Sequence, residues 1–143
     1  MYFSGLLSVI VTPTQSSPIF GKTSVTIQCS ISGSPGATSV GWIKVSLNGQ
    51  TSTNIDAVNS NGKYAIASST TNPDLTINNI NFGDDANYVC FATNIVGTRD
   101  SGNARVDVKG CKLNMNALFY LLSYNLLCKK KEHIPFDIVS KQN

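Results

Sequence analysis

Imidazole is almost missing from this chain: its single histidine, His133, lies near the C-terminus. Residues 1–109 therefore hold no imidazole to act as general base beside a serine or cysteine, which removes Ser-His and Cys-His nucleophilic catalysis. A phosphate-cradling P-loop, a G-x-G-x-x-G turn and Cys/His pairs at zinc-ligand spacing are also lacking. Asp84 and Asp85 are adjacent, and neighbours on an extended strand face opposite ways, so they form no paired-carboxylate site there. The reading is of a protein that is not an enzyme and needs neither metal nor organic cofactor.

Charge is scarce as well, at 13% of residues, with a net charge of +3. Through Lys109 the basic residues Lys22, Lys44, Lys63, Arg99, Arg105 and Lys109 are balanced by Asp56, Asp74, Asp84, Asp85, Asp100 and Asp107. The excess sits beyond them, in Lys112, Lys129, Lys130, Lys131 and Lys141. A neutral main body argues against nucleic acid as partner. No N-x-[ST] glycosylation acceptor occurs. The opening MYFSGLLSVIV has neither a basic leader nor an A-x-A-like cleavage site and reads as the approach to a first strand, with Met1 an internal or truncated start.

Long hydrophobic runs are limited to one, Leu113–Cys128, followed by Lys129–Lys131. An apolar span before a basic stop would suit a membrane anchor with the lysines inside. Against an anchor, the run falls short of the ~20 residues a span needs and holds Asn114, Asn116 and Asn125. Residues 110–143 are therefore expected to be an apolar and basic tail, helical or disordered. Cys111 and Cys128 within it could be unpaired, palmitoylated or bridged to each other.

What is abundant is short alternation. Runs such as SVTIQCSI, VGWIKV, KYAIAS, PDLTINNI, DDANYVC and NARVDV put apolar residues on every second position, between clusters of Gly, Pro, Asn and Ser. A period of two is that of half-buried strands, and seven or eight of them without helical periodicity predict an all-β sandwich or barrel. SVIVTPTQSSPIFG reads as a first strand broken by Pro13 and Pro18, and NIVGTRDSGN as a connecting loop.

Cys29, Trp42, then Leu75, Ile77, Ile80, Asp84, Ala86, Tyr88 and Cys90 fill the pattern C…W…L-x-I-x-x-[IV]-x-x-x-D-x-[AG]-x-Y-x-C, and CFATNIVG follows it. In these residues the chain resembles the immunoglobulin superfamily, in its I-set-like form, over about residues 8–109. The resemblance implies a two-sheet Greek-key immunoglobulin-like sandwich over 1–109, followed by the tail outside it. It implies a Cys29–Cys90 disulfide between the sheets, Trp42 packed against it, and Tyr88 with its hydroxyl bonded back near Asp84. Asp84 is expected to pair with a base, Lys44 or Lys63, in place of the arginine of many relatives. These core residues build the fold and perform no chemistry.

Strand phase adds a separate expectation. If Trp42 and Cys90 face inward, Ile43, Val45, Val89 and Phe91 face outward on neighbouring strands of one sheet. They would make an apolar island with Arg105 and Asp107 as a polar rim. Single exposed apolar residues are ordinary and β-branched ones suit any strand, but clustered ones tend to mark contacts. The expected function is a non-catalytic recognition or adhesion module of a surface or secreted protein, with a protein partner that includes a second copy. The alternative is a structural domain of an intracellular, titin-like muscle scaffold. The redox state of Cys29 and Cys90 separates the two, because cytosolic thiols stay reduced.

Overall fold

The computed structural model describes residues 5–22 and 24–110. The readings made for the run 113–128, for Cys111 and Cys128, and for the basic tail lie outside the described residues. Within them the order is β1 (Ser8–Thr12), β2 (Gln15–Ser16), β3 (Ser24–Ser32), β4 (Ser39–Val45), β5 (Ser52–Asn54), β6 (Tyr64–Ile66) and β7 (Leu75–Asn78). A single 3-10 turn, Phe82–Asp84, precedes β8 (Ala86–Asn94), β9 (Gly97–Asp100) and β10 (Ala104–Val106).

The strands form the expected two-sheet sandwich. One sheet runs β1-β3-β7-β6; the other runs β2-β10-β8-β4-β5, with β9 also paired to β8. Alternation explains the assembly directly. In β8 every second residue from Ala86 to Asn94 is buried, and β3 buries Ile27, Cys29 and Ile31. These faces meet across a core in which Ile27, Leu75, Ile77, Tyr88 and Val106 are 0% exposed and Trp42 is 1%. Pairs across the central junction of the larger sheet set the register: Trp42 lies opposite Cys90, Ile43 opposite Val89 and Gly41 opposite Phe91.

Three details differ from the strand reading. The first strand does not simply break at Pro13: β1 pairs antiparallel with β3, whereas β2 pairs parallel with β10 in the other sheet. Proline has no N–H to leave unpaired, so it suits the point where the chain changes sheets. Ile80, three residues after Ile77 and so out of the period of two, is in the core at 2% exposure as its place in the pattern implies, because Asn79 takes up the slip in a left-handed conformation (φ 49°).

NIVGTRDSGN is not a plain loop, because β9 lies within it and extends the hairpin from β8. Asp84 does not share the strand face of Tyr88 and Cys90. It closes the 3-10 turn, where Asn81 and Asp84 cap each other's backbone reciprocally.

Beyond Ile27 and Leu75 the β3–β7 ladder ends, and the N–H donors of two buried residues of β3 need other acceptors. The N–H of Cys29 donates to Asp74 Oδ1 (3.0 Å), and that of Ile31 to the Thr71 carbonyl (2.8 Å). On the other sheet the Cys90 N–H donates to Ser101 Oγ (3.0 Å) where β9 gives way to β10. Each bridging cysteine is thus held by a side chain that continues its strand's bonding.

Candidate recognition face and its support

The inner faces supply rigidity. Cys29 and Cys90 form a disulfide between the sheets, with Cα atoms 6.4 Å apart and both residues fully buried. Trp42, beside Cys90 in register, buries its ring and donates from Nε1 to the Pro73 carbonyl at 2.6 Å. A buried indole without an acceptor would carry a desolvation cost, so Pro73 makes this ring tolerable at the centre of the core. Leu75, at the start of β7, is 0% exposed.

Tyr88 donates from its hydroxyl to the backbone carbonyl of Asp84 at 3.2 Å. The carboxylate of Asp84, 2% exposed, meets Lys63 rather than Lys44: Lys63 Nζ lies 2.6 Å from Oδ2. Lys63 also donates to the carbonyls of Asn78 (2.8 Å) and Asn79 (3.0 Å), so all three ammonium protons have acceptors. Asp84 Oδ2 accepts a second bond from the Asn81 N–H. Lys44 instead reaches the Gly83 carbonyl at 2.6 Å.

Burial pushes the Tyr88 phenol far above its ordinary value of 10.0, and the adjacent Tyr64 and Asp84 push the same way while Arg105 opposes them. Tyr64 is raised too, first by burial and then by Asp84, with its hydrogen bond to Tyr88 acting against the rise. In the unfolded chain both phenols ionise near pH 10, whereas in the folded protein they stay protonated there. The folded state then holds more protons than the unfolded one, so stability is lost as pH rises past about 10. Urea midpoints should therefore fall above that pH, and the fall should be smaller in Tyr88→Phe. A midpoint that holds constant while both tyrosines ionise would contradict this.

The outer face of the larger sheet is built from the alternate positions. Ile43 and Val89 are a direct cross-strand pair; Val45 lies opposite Asn87, and Phe91 opposite Gly41. All four apolar side chains are half-buried. For Phe91 the reason is local: a Cβ placed on Gly41 would come within 2.6 Å of the phenyl ring, so the ring lies over the glycine. Phe91 therefore fills a hollow in the sheet as well as facing out. Around this island stand Asn87, Thr93, Asn54 and Ser52, all polar.

Arg105 neighbours Asn87, but it is a tie rather than a free rim charge. Its guanidinium binds Asp85, the carbonyls of Ala86 and Val106, and Asp107 at 3.6 Å. Asp107 is half-buried beside it.

The other sheet turns a different surface outward. Thr26, Gln28, Ser30 and Ser32 of β3 are exposed, and Thr26 bonds Thr76 of β7 through their hydroxyls (3.0 Å). Ile10 of β1 is the exposed apolar exception, at 60%. The outward positions of β3 are thus polar throughout, in contrast to the four apolar residues together on the outer face of the larger sheet.

Sequence reasoning did not find a third feature, the knot at Asn94. This buried amide donates to the carbonyls of Gly5 and Pro35, both at 2.9 Å, and accepts from the N–H groups of Val96 (2.9 Å) and Gly97 (3.2 Å). It fixes the β8–β9 hairpin, whose tip presents Ile95 at 86% and Val96 at 53% exposure. The available signal was a polar residue in phase with Tyr88, Cys90 and Ala92.

Among the described residues, no three His, Cys, Asp or Glu side chains gather where they could hold a metal ion. No helix among them is long and apolar enough to cross a membrane. No curated protein matches the chain. Residues 8–94 match the family described as the immunoglobulin domain. With a disulfide-joined two-sheet sandwich and a match over well more than half its length, this chain belongs to the immunoglobulin domain family.

Proposed function

We propose that the protein is a non-catalytic recognition module that binds another protein through the outer face of its larger sheet. The contact centres on Ile43 and Val89, flanked by Val45 and Phe91. The observation that carries this reading is the contrast between the two outer faces: hydroxyl and amide side chains on β3 and β7, aliphatic and aromatic ones on β4 and β8. A contiguous apolar patch with a polar surround is the anatomy of a contact surface. The Cys29–Cys90 bridge supports an extracellular or cell-surface setting, since disulfides persist in oxidising compartments. The simplest partner is a second copy of this chain, placing two such faces against each other about a two-fold axis.

Ile43→Arg tests the reading, because it puts a charge at the patch centre while leaving the inward residues unchanged. In sedimentation velocity, the unmodified chain should show a concentration-dependent dimer and the variant a monomer. The urea midpoint should move little, as expected for an outward position that makes no core contact (about 0.5 kcal/mol). Equal sedimentation of both proteins as monomers, or as dimers, would overturn the homophilic form of the proposal.

A further inference from the structure

The dipeptide Asn-Gly occurs twice on exposed turns, as Asn48–Gly49 and Asn61–Gly62, and the two sit in opposite chemical situations. At the first, Asn48 Oδ1 accepts from Ser46 Oγ (2.6 Å) and from the Gln50 N–H (3.0 Å). Its Nδ2 donates to Gln50 Oε1 (3.0 Å). The Gly49 N–H is also engaged, donating to the Ser46 carbonyl at 2.8 Å. Carboxamide and neighbouring backbone nitrogen are both restrained.

At the second, the turn is closed by the Lys63 N–H on the Ser60 carbonyl (3.0 Å), and Gly62 offers its carbonyl to Asn78 Nδ2 (2.9 Å). Neither the Asn61 carboxamide nor the Gly62 N–H has a hydrogen bond to the described residues. Asn61 holds φ 50° and Gly62 φ 77°, left-handed values that asparagine and glycine accept readily. Glycine also leaves its nitrogen without a side chain to shield it.

We propose that Asn61 is a site of spontaneous deamidation in the folded protein, and that Asn48 is protected. The Gly62 backbone nitrogen gives its proton to solvent base and attacks Asn61 Cγ. The new C–N bond closes a succinimide as the C–NH2 bond breaks and ammonia leaves. Water then adds to either ring carbonyl and opens the ring to aspartate or isoaspartate. One water is consumed and one ammonia released, with no change of oxidation state. The product adds a negative charge to a turn that leads through Lys63 into β6, where Lys63 is the partner of Asp84.

The test is prolonged incubation of the folded, disulfide-intact chain at mildly alkaline pH, beside the same chain in concentrated urea. A protease that cuts before aspartate, at Asp56 and Asp74, places the two asparagines on separate peptides. The expected result in the folded sample is conversion on the Asn61 peptide alone, read as a mass gain where isoaspartate forms and as a new cut before position 61 where aspartate forms; in urea both peptides convert. Asn61→Gly, which suits the left-handed backbone, should fold normally and lose the acidic form seen in isoelectric focusing. Conversion at Asn48 as fast as at Asn61 in the folded sample would overturn the inference. So would an unchanged Asn61 in the folded sample while the urea sample converts.

Discussion

Replacing Cys29 and Cys90 together with alanine is expected to lower the stability of the fold by about 4 kcal/mol, the largest loss from any single bond here. The bridge closes a sequence separation of 61 residues and joins β3 of one sheet to β8 of the other. Cutting it frees a long loop in the unfolded chain, and much of the loss is entropy gained there. Two smaller losses add to it, because the sulfurs are fully buried and alanine leaves space between the sheets. Urea denaturation of the double variant should show an earlier midpoint and a steeper dependence on denaturant, since an uncrosslinked chain exposes more surface on unfolding. A loss below about 1 kcal/mol would mean that the core alone sets the sandwich.

Trp42→Ala is expected to cost about 4 kcal/mol by a different route. The ring is 1% exposed and sits next to Cys90 across the β4–β8 junction. Its removal opens a cavity in the centre of the core and leaves the Pro73 carbonyl without its donor. Trp42→Phe separates these causes: it keeps most of the apolar volume but still loses the Nε1 bond, so its cost should be roughly half or less. Equal losses for the two variants would place the energy in the bond to Pro73 instead of in packing.

Much of this core is legible in the sequence because it follows a period of two. Ala86, Tyr88, Cys90 and Ala92 alternate with half-buried neighbours along β8, so inward and outward sets can be told apart without coordinates. The larger sheet's apolar face follows from the same phase. What escapes is whatever depends on register or on long side chains. The β5 segment Ser-Thr-Asn and the β9 segment Gly-Thr-Arg-Asp are exposed throughout, so no alternation marks them as strands.

Phe91 covers Gly41 because their strands pair at those two positions, which neither strand announces alone. The choice of Lys63 over Lys44 as partner of Asp84 is tertiary: Lys63 enters from the turn before β6, and Lys44 is drawn to Gly83. Asp84 itself breaks the strand phase because the 3-10 turn needs an acid at its third residue for the Asn81 cap. Arg105 looked like a rim charge, yet four backbone or side-chain groups on its own edge of the sheet hold it.

The central claim is that recognition occurs on the outer face of the larger sheet, and photo-cross-linking of the full chain tests it most directly. A photoreactive phenylalanine analogue placed at Ile43 is compared with one at Gln28, which is exposed on the outer face of the smaller sheet. The expected result is a covalent dimer from position 43 alone, with the cross-link mapping to β4 or β8 of the second copy. A dimer formed from position 28 and absent from position 43 would contradict the account.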